Sequence, residues 1–192
     1  MLCTYFQKKA SLVVMASVAA LACRGPESPA PVAPAAAQAV ATYYVGTTAT
    51  TSPDGQQAYG PARTIAVRRT VDPAGGRIEE LVVHPGEVFV TVLRRRPGDA
   101  AVFDADDQTH SFTGTVSFTG PEWAWTAWTY DLAMSDGSGT LKGSGRAGPG
   151  SLDTDKLFVA PDGQQRARIR EHLEEVDEPT YTRTRAELSP AP

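Results

Sequence analysis

From Thr42 onward the chain alternates between short β-prone runs and clusters of turn residues at near-regular intervals. Thr42 to Thr51 is rich in Tyr, Thr and Val and stops at Ser52-Pro53-Asp54-Gly55; Arg63 to Val71 stops at Asp72-Pro73-Ala74-Gly75-Gly76. Arg77 to His84 ends at Pro85-Gly86, Glu87 to Leu93 ends near Pro97-Gly98-Asp99, and later stops fall at Gly120-Pro121, Ser135-Asp136-Gly137, Gly148-Pro149-Gly150 and Pro161-Asp162-Gly163. Proline presets φ, glycine takes positive-φ positions, and Asp or Ser bonds its own backbone, so each stop has a mechanism. Many short strands with evenly spaced turns predict an all-β sandwich or barrel.

Period-2 patterning places side chains on faces. Phe112, Val116 and Phe118 share one side of their strand, with Gly114 between them and Thr113, Thr115, Ser117 and Thr119 opposite. Val88, Val90 and Val92 fall on one face of their strand, Phe89 and Leu93 on the other. Glu122 to Met134 reads as one strand in which Trp123 and Trp125 have opposite parity to Trp128 and Tyr130; a β-bulge near Thr126 or Ala127 would bring all four to one side. Gln164 to Val176 is ambiguous. Ile169, Leu173 and Val176 fit a helical stripe, whereas a strand puts Ala167, Ile169, Glu171 and Leu173 on one face and Arg166, Arg168, Arg170, His172 and Glu174 on the other. The preceding Pro-Asp-Gly and the following Thr/Tyr run, Thr180 to Arg185, have the look of hairpin neighbours and favour the strand.

About 150 residues suffice for one core, and closing a meander into a barrel removes the exposed edges that invite aggregation. The expected fold is an antiparallel up-and-down β-barrel of about eight to ten strands. The chain resembles the lipocalin-like up-and-down barrels in its opening Tyr43-Tyr44-Val45-Gly46-Thr47-Thr48, Ser52-Pro53-Asp54-Gly55, the run Ser135 to Gly143, Arg168 to Glu174 and Thr180-Tyr181-Thr182. Gly46 is followed by Thr47-Thr48 where true lipocalins carry Gly-x-Trp. The resemblance implies a barrel that encloses a small apolar ligand or is filled by its own side chains.

The first 41 residues read differently. Lys8 and Lys9, the uncharged run Ala10 to Ala22 and the closing Ala20-Leu21-Ala22 have the organisation of a secretory signal peptide, and the run is too short for a bilayer core that needs about 20 apolar residues. Ala20-Leu21-Ala22-Cys23 resembles a bacterial lipoprotein signal, which implies acylation of Cys23 after cleavage, with two or three chains giving a stable anchor. Arg24 after the cysteine resembles the outer-membrane-sorted kind; plain secretion with a free Cys23 is the alternative. Arg24 to Ala41 is a Pro/Ala-rich linker, extended at ~3.1 Å per residue.

Cleavage would remove Cys3, Lys8 and Lys9. Of the chain's 18 basic residues 16 would remain against 22 acidic ones, a net charge of −6 with neutral histidines. A basic face for nucleic acid is not expected, and thiol catalysis, thiolate zinc and disulfide scaffolding are excluded from residues 42–192. His84 reads as a solvated turn residue, His110 beside Asp104, Asp106 and Asp107 as a charged hairpin tip without the glycine and glutamate of a calcium loop, and His172 as an exterior residue. No nucleophile elbow, zinc-protease motif or phosphate loop is present. Adjacent pairs such as Glu79-Glu80 and Glu174-Glu175 point to opposite faces of a strand. Arg94-Arg95-Arg96 and Arg166/Arg168/Arg170 read as solvated faces. The expectation is a non-enzymatic envelope protein with no metal or cofactor. Its candidate ligand or partner residues are Trp123, Trp125, Trp128 and Tyr130.

Overall fold

A computed structural model describes residues 38–108 and 112–189. Among these residues the fold is all-β: ten strands in one closed antiparallel barrel, followed by one helix. In chain order the strands are β1 (Val40–Thr51), β2 (Arg63–Asp72), β3 (Arg77–His84), β4 (Glu87–Arg95), β5 (Val102–Asp107), β6 (Phe112–Thr119), β7 (Ala127–Met134), β8 (Thr140–Gly148), β9 (Ser151–Val159) and β10 (Gln165–Val176), and α1 spans Glu178–Leu188. Each strand pairs with its chain neighbours, and β1 closes the barrel on β10 from Tyr43↔Val176 to Thr51↔Arg168. The meander and its closure are those of a lipocalin-like fold. The turn residues set the register locally: Pro85-Gly86 is the whole connection between His84 and Glu87, and Gly86 has φ of +82°, a conformation glycine takes without steric cost.

Three details depart from the sequence reading. β1 starts at Val40, so the last two residues assigned to the linker already pair with Val71 and Thr70. Glu122 to Met134 is not one strand: residues 120–126 form a loop with Trp123 at φ of +62°, and β7 begins only at Ala127. No bulge is needed, because Trp123 and Trp125 reach the interior from the loop. Thr180 to Arg185 is helical rather than strand-like. Asp177 caps α1 by accepting a hydrogen bond from the Thr180 amide at 2.9 Å, and Pro179 sits in the first turn, where it has no amide to lose. The ambiguous segment Gln164 to Val176 is the strand β10.

α1 lies on the outer wall. Tyr181 buries itself over Ala66 and Val83, beside Tyr43 at 5.1 Å between rings. That covering explains why two outward residues of β2 and β3, Ala66 and Val83, have no solvent exposure. The last turn also ties down one end of the barrel, where the Gly86 amide donates to the Leu188 carbonyl at 3.0 Å. Residues 1–37, including Cys23 and the stretch expected to be a signal peptide, lie outside the described residues, as does His110.

Candidate functional site: a cavity inside the barrel

Inward positions alternate along every strand, and at one end they are packed shut. Phe103, Phe118, Trp128, Leu152 and Leu173 form the plug. The 120–126 loop adds Trp125, stacked on Phe118 at 4.6 Å, and Trp123, 5.0 Å from Trp125. Such aromatic contacts contribute about 0.5–1.5 kcal/mol each beyond area burial. Arg95 covers the outside of the plug, its guanidinium 5.1 Å from the Trp123 ring, and pairs with Glu122. Trp128 fits because the inward position opposite it on β8 is Gly145: a Cβ there would lie 2.2 Å from the indole.

Above Trp128 the barrel is hollow. A cavity of about 640 Å³ runs from the indole to the exposed Tyr59 at the other end. That volume is within the range of small-molecule sites. Its upper wall is apolar and largely aromatic, with Phe89, Phe112, Met134, Leu141, Phe158 and Ile169. Tyr59 is held at the rim by its hydroxyl, which donates to the Arg166 carbonyl at 3.2 Å.

Deeper in the cavity the inward positions carry charge. Arg69 Nε and Glu80 lie 2.8 Å apart, and the Arg69 guanidinium rests 4.7 Å from the Trp128 ring, so β2 and β7 meet across the lumen. Lys156 Nζ and Glu171 lie 2.8 Å apart with side chains only 16% and 12% exposed, and the Thr154 hydroxyl donates to the same carboxylate at 2.6 Å. Lys156 also faces the Tyr130 ring at 5.4 Å. Burial pushes the Tyr130 phenol up to about 12, against the opposing pull of Lys156, so it remains a hydrogen-bond donor at neutral pH. Burial also works to raise the Glu171 carboxyl, but the Lys156 charge and the Lys156 and Thr154 hydrogen bonds prevail and hold it below the usual carboxylate range. His84 lines the cavity edge-on to Phe89 at 5.4 Å, and burial lowers its imidazole. Among the described residues Trp128 Nε1 is buried without a hydrogen-bond partner, and Arg69 Nε meets Glu80 as a close ion pair without hydrogen-bond geometry.

The residues predicted from sequence divide. Trp128 and Tyr130 line the cavity; Trp123 and Trp125 belong to the plug. His84, read as a solvated turn residue, is instead the partly buried last residue of β3. His172 is exterior as expected, its Nδ1 2.6 Å from Asp153. Glu79 and Glu80 do point apart, Glu79 outward to Arg68 and Arg77, Glu80 inward to Arg69. The arginine rows are tied to carboxylates outside the barrel: Arg96 to Asp104, Arg166 to Asp162, and Arg168 and Arg170 to Asp155. Sequence reasoning missed the interior ion pairs. The signal was present in β10, where Glu171 shares parity with Ala167, Ile169 and Leu173, a carboxylate on an otherwise apolar face.

No known protein family matches the chain, and a search of the curated proteins returns no match.

Proposed function

We propose that this chain is an exported, lipid-anchored envelope protein whose barrel holds a small, mostly apolar molecule without transforming it. The observation that carries the reading is the cavity of about 640 Å³ inside a closed barrel. Ten strands make a wider lumen than eight, in which side chains alone nearly fill the interior. The plug at one end and the aromatic rim at the other define a pocket with one entrance. Among the described residues the four charged side chains deepest in the cavity are engaged as two ion pairs, an arrangement suited to holding a ligand rather than turning it over.

The address rests on the leader: Lys8 and Lys9, the uncharged run Ala10 to Ala22, and Cys23 directly after Ala20-Leu21-Ala22. In this reading residues 1–22 are removed, Cys23 is acylated, and the Pro/Ala-rich stretch sets the barrel off from the outer membrane on its periplasmic side.

Native mass spectrometry of the Cys23→Ser protein, purified from its host without detergent, tests the carrier reading. A discrete added mass that denaturation removes is the expected result. A clean apo mass would sink it in favour of a module that binds an envelope partner through its outer surface. Cys23→Ser is expected to move the protein from the membrane fraction to the soluble one; unchanged membrane retention would remove the anchor.

A further inference from the structure

The cavity's charges are balanced and its walls are unlike. Among the described residues its lining holds three cations, Arg63, Arg69 and Lys156, and three carboxylates, Glu80, Glu87 and Glu171. The two deepest cations each have a carboxylate at 2.8 Å. A ligand bearing a net negative charge would bring an excess charge into a space where charges are poorly solvated, beside Glu80 and Glu171. At that depth it would gain no free cation in return, because Arg69 and Lys156 are already engaged and Arg63 stands at the exposed entrance. A cationic ligand meets the mirror-image difficulty.

The charged groups deep in the cavity are confined to one side. Lys156 and Thr154 on β9, Glu171 on β10, Thr48 on β1, Arg69 on β2 and Glu80 on β3 come from consecutive strands around the closure. Facing them, the described residues of β5 to β8 bring no charge into the cavity and contribute Ala105, Phe112, Val116, Leu132, Met134 and Leu141, with the Trp128 Nε1 and the Tyr130 hydroxyl as their polar atoms. The polar side offers both acceptors and donors, since carboxylates only accept, ammonium and guanidinium only donate, and threonine does both. Aromatic rings recur from floor to rim, Trp128 and Tyr130 below and Phe89, Phe112 and Phe158 above. They favour edge-to-face or offset contact with another ring.

Resting on the carrier reading above, we propose that the cavity selects an uncharged aromatic molecule with hydrogen-bonding groups along one edge, and discriminates against anionic amphiphiles such as fatty acids. The polar edge lies along β9–β10–β1–β2–β3, and the ring face lies against β5–β8.

The test uses the full chain and three probes: 1-aminoanthracene (uncharged, aromatic, with an amine on one edge), 8-anilinonaphthalene-1-sulfonate (aromatic and anionic) and palmitate (anionic, not aromatic). 1-Aminoanthracene is expected to bind at least tenfold more tightly than the sulfonate, and palmitate to fail to displace it. Glu171→Gln and, separately, Glu80→Gln each release a buried cation and are expected to narrow the gap between the two aromatic probes about tenfold. The double variant Lys156→Gln with Glu171→Gln restores neutrality and the wild-type preference. Tighter binding of the sulfonate or of palmitate to the unmodified protein overturns the proposal while leaving the carrier reading standing. If none of the three binds and native mass spectrometry shows no ligand, the carrier reading falls and takes this one with it. The comparison of probes on the unmodified protein decides the matter even if a variant fails to fold.

Discussion

The two ends of the barrel are built from the same ten strands and the same inward alternation, yet one is solid and the other hollow. At the solid end Phe103, Phe118, Trp128, Leu152 and Leu173 are each 6% exposed or less. At the hollow end Phe89, Phe112, Leu141 and Phe158 are only partly buried. Residue type does not explain the difference, because both ends are rich in phenylalanine and leucine. The connections do. The loop of residues 120–126 folds back and inserts two indoles against Phe103 and Phe118, whereas at the opposite end the Pro85-Gly86 turn is too short to reach inward and the 52–62 connection leaves Tyr59 exposed at the rim. A ten-stranded barrel leaves central space that its inward side chains fill only in part, and the inserted 120–126 loop supplies the missing volume at the floor.

The comparison is broken most severely by removing the floor. Trp128→Ala should cost about 3–5 kcal/mol, the range for a large buried aromatic, because it opens a void inside the plug. Phe158→Ala at the rim should cost well under ~2 kcal/mol, since that ring already faces an empty space. Urea denaturation of the two variants measures both. Equal losses would mean that the rim is as tightly packed as the floor and that the cavity is not a standing feature of the fold.

Charge sharpens the same contrast between inside and outside. Glu171→Gln strands Lys156 in the lumen, and about 2–3 kcal/mol of stability should go with it, somewhat below the value for a fully buried pair because both side chains keep slight exposure. Asp155→Asn outside the barrel, where the carboxylate is 38% exposed and screened by solvent, should cost ~0.2–1 kcal/mol. The folded Glu171 carboxyl lies below its ordinary value of 4.5. Its contribution is therefore present above that pH and lost as the pH falls through the depressed folded value. Acid titration of stability should be shallower below pH 4.5 in Glu171→Gln than in the unmodified protein; an unchanged acid limb would show that the pair contributes nothing.

The smallest effect is a pair of opposite signs. The hydrogen bond and charge of Asp153 raise His172, so its contribution is present below its ordinary 6.5 and disappears as the pH rises through the raised value. Burial lowers His84, so the unfolded chain takes up that proton first and the folded state loses stability as the pH drops below 6.5. His172→Gln should weaken the protein at pH 5.5 but not at pH 8.5. His84→Gln should make stability less sensitive to the same drop in pH. Urea midpoints at the two pH values read both, and matching signs would contradict the assignment of His84 to the interior.

Much of the architecture was legible in the chain. The turns Pro85-Gly86, Gly148-Pro149-Gly150 and Pro161-Asp162-Gly163 mark strand ends closely, because proline and glycine fix backbone angles whatever surrounds them. The inward face of β6 could be read directly from Phe112, Val116 and Phe118. Thr180 to Arg185 was misread because threonine and tyrosine are common in strands, a preference that reflects packing context rather than the backbone itself. The cap at Asp177 and Pro179 was the better guide. The tryptophans were misread for a related reason: Trp123 and Trp125 look like strand residues but sit in a loop, with Trp123 at positive φ, a conformation that only the surrounding plug makes worthwhile.

By itself, then, the sequence determined the meander and most of its strand ends, the exterior setting of His172 and the opposed directions of Glu79 and Glu80, because turn chemistry and the two-residue period of a strand are local. Tertiary structure decided that β1 meets β10, that α1 covers Ala66 and Val83, that Trp128 rests on Gly145, and that Lys156 meets Glu171 inside a lumen. Those outcomes depend on the diameter of the closed sheet and on which residues face one another across it, distances that no local pattern along the chain encodes.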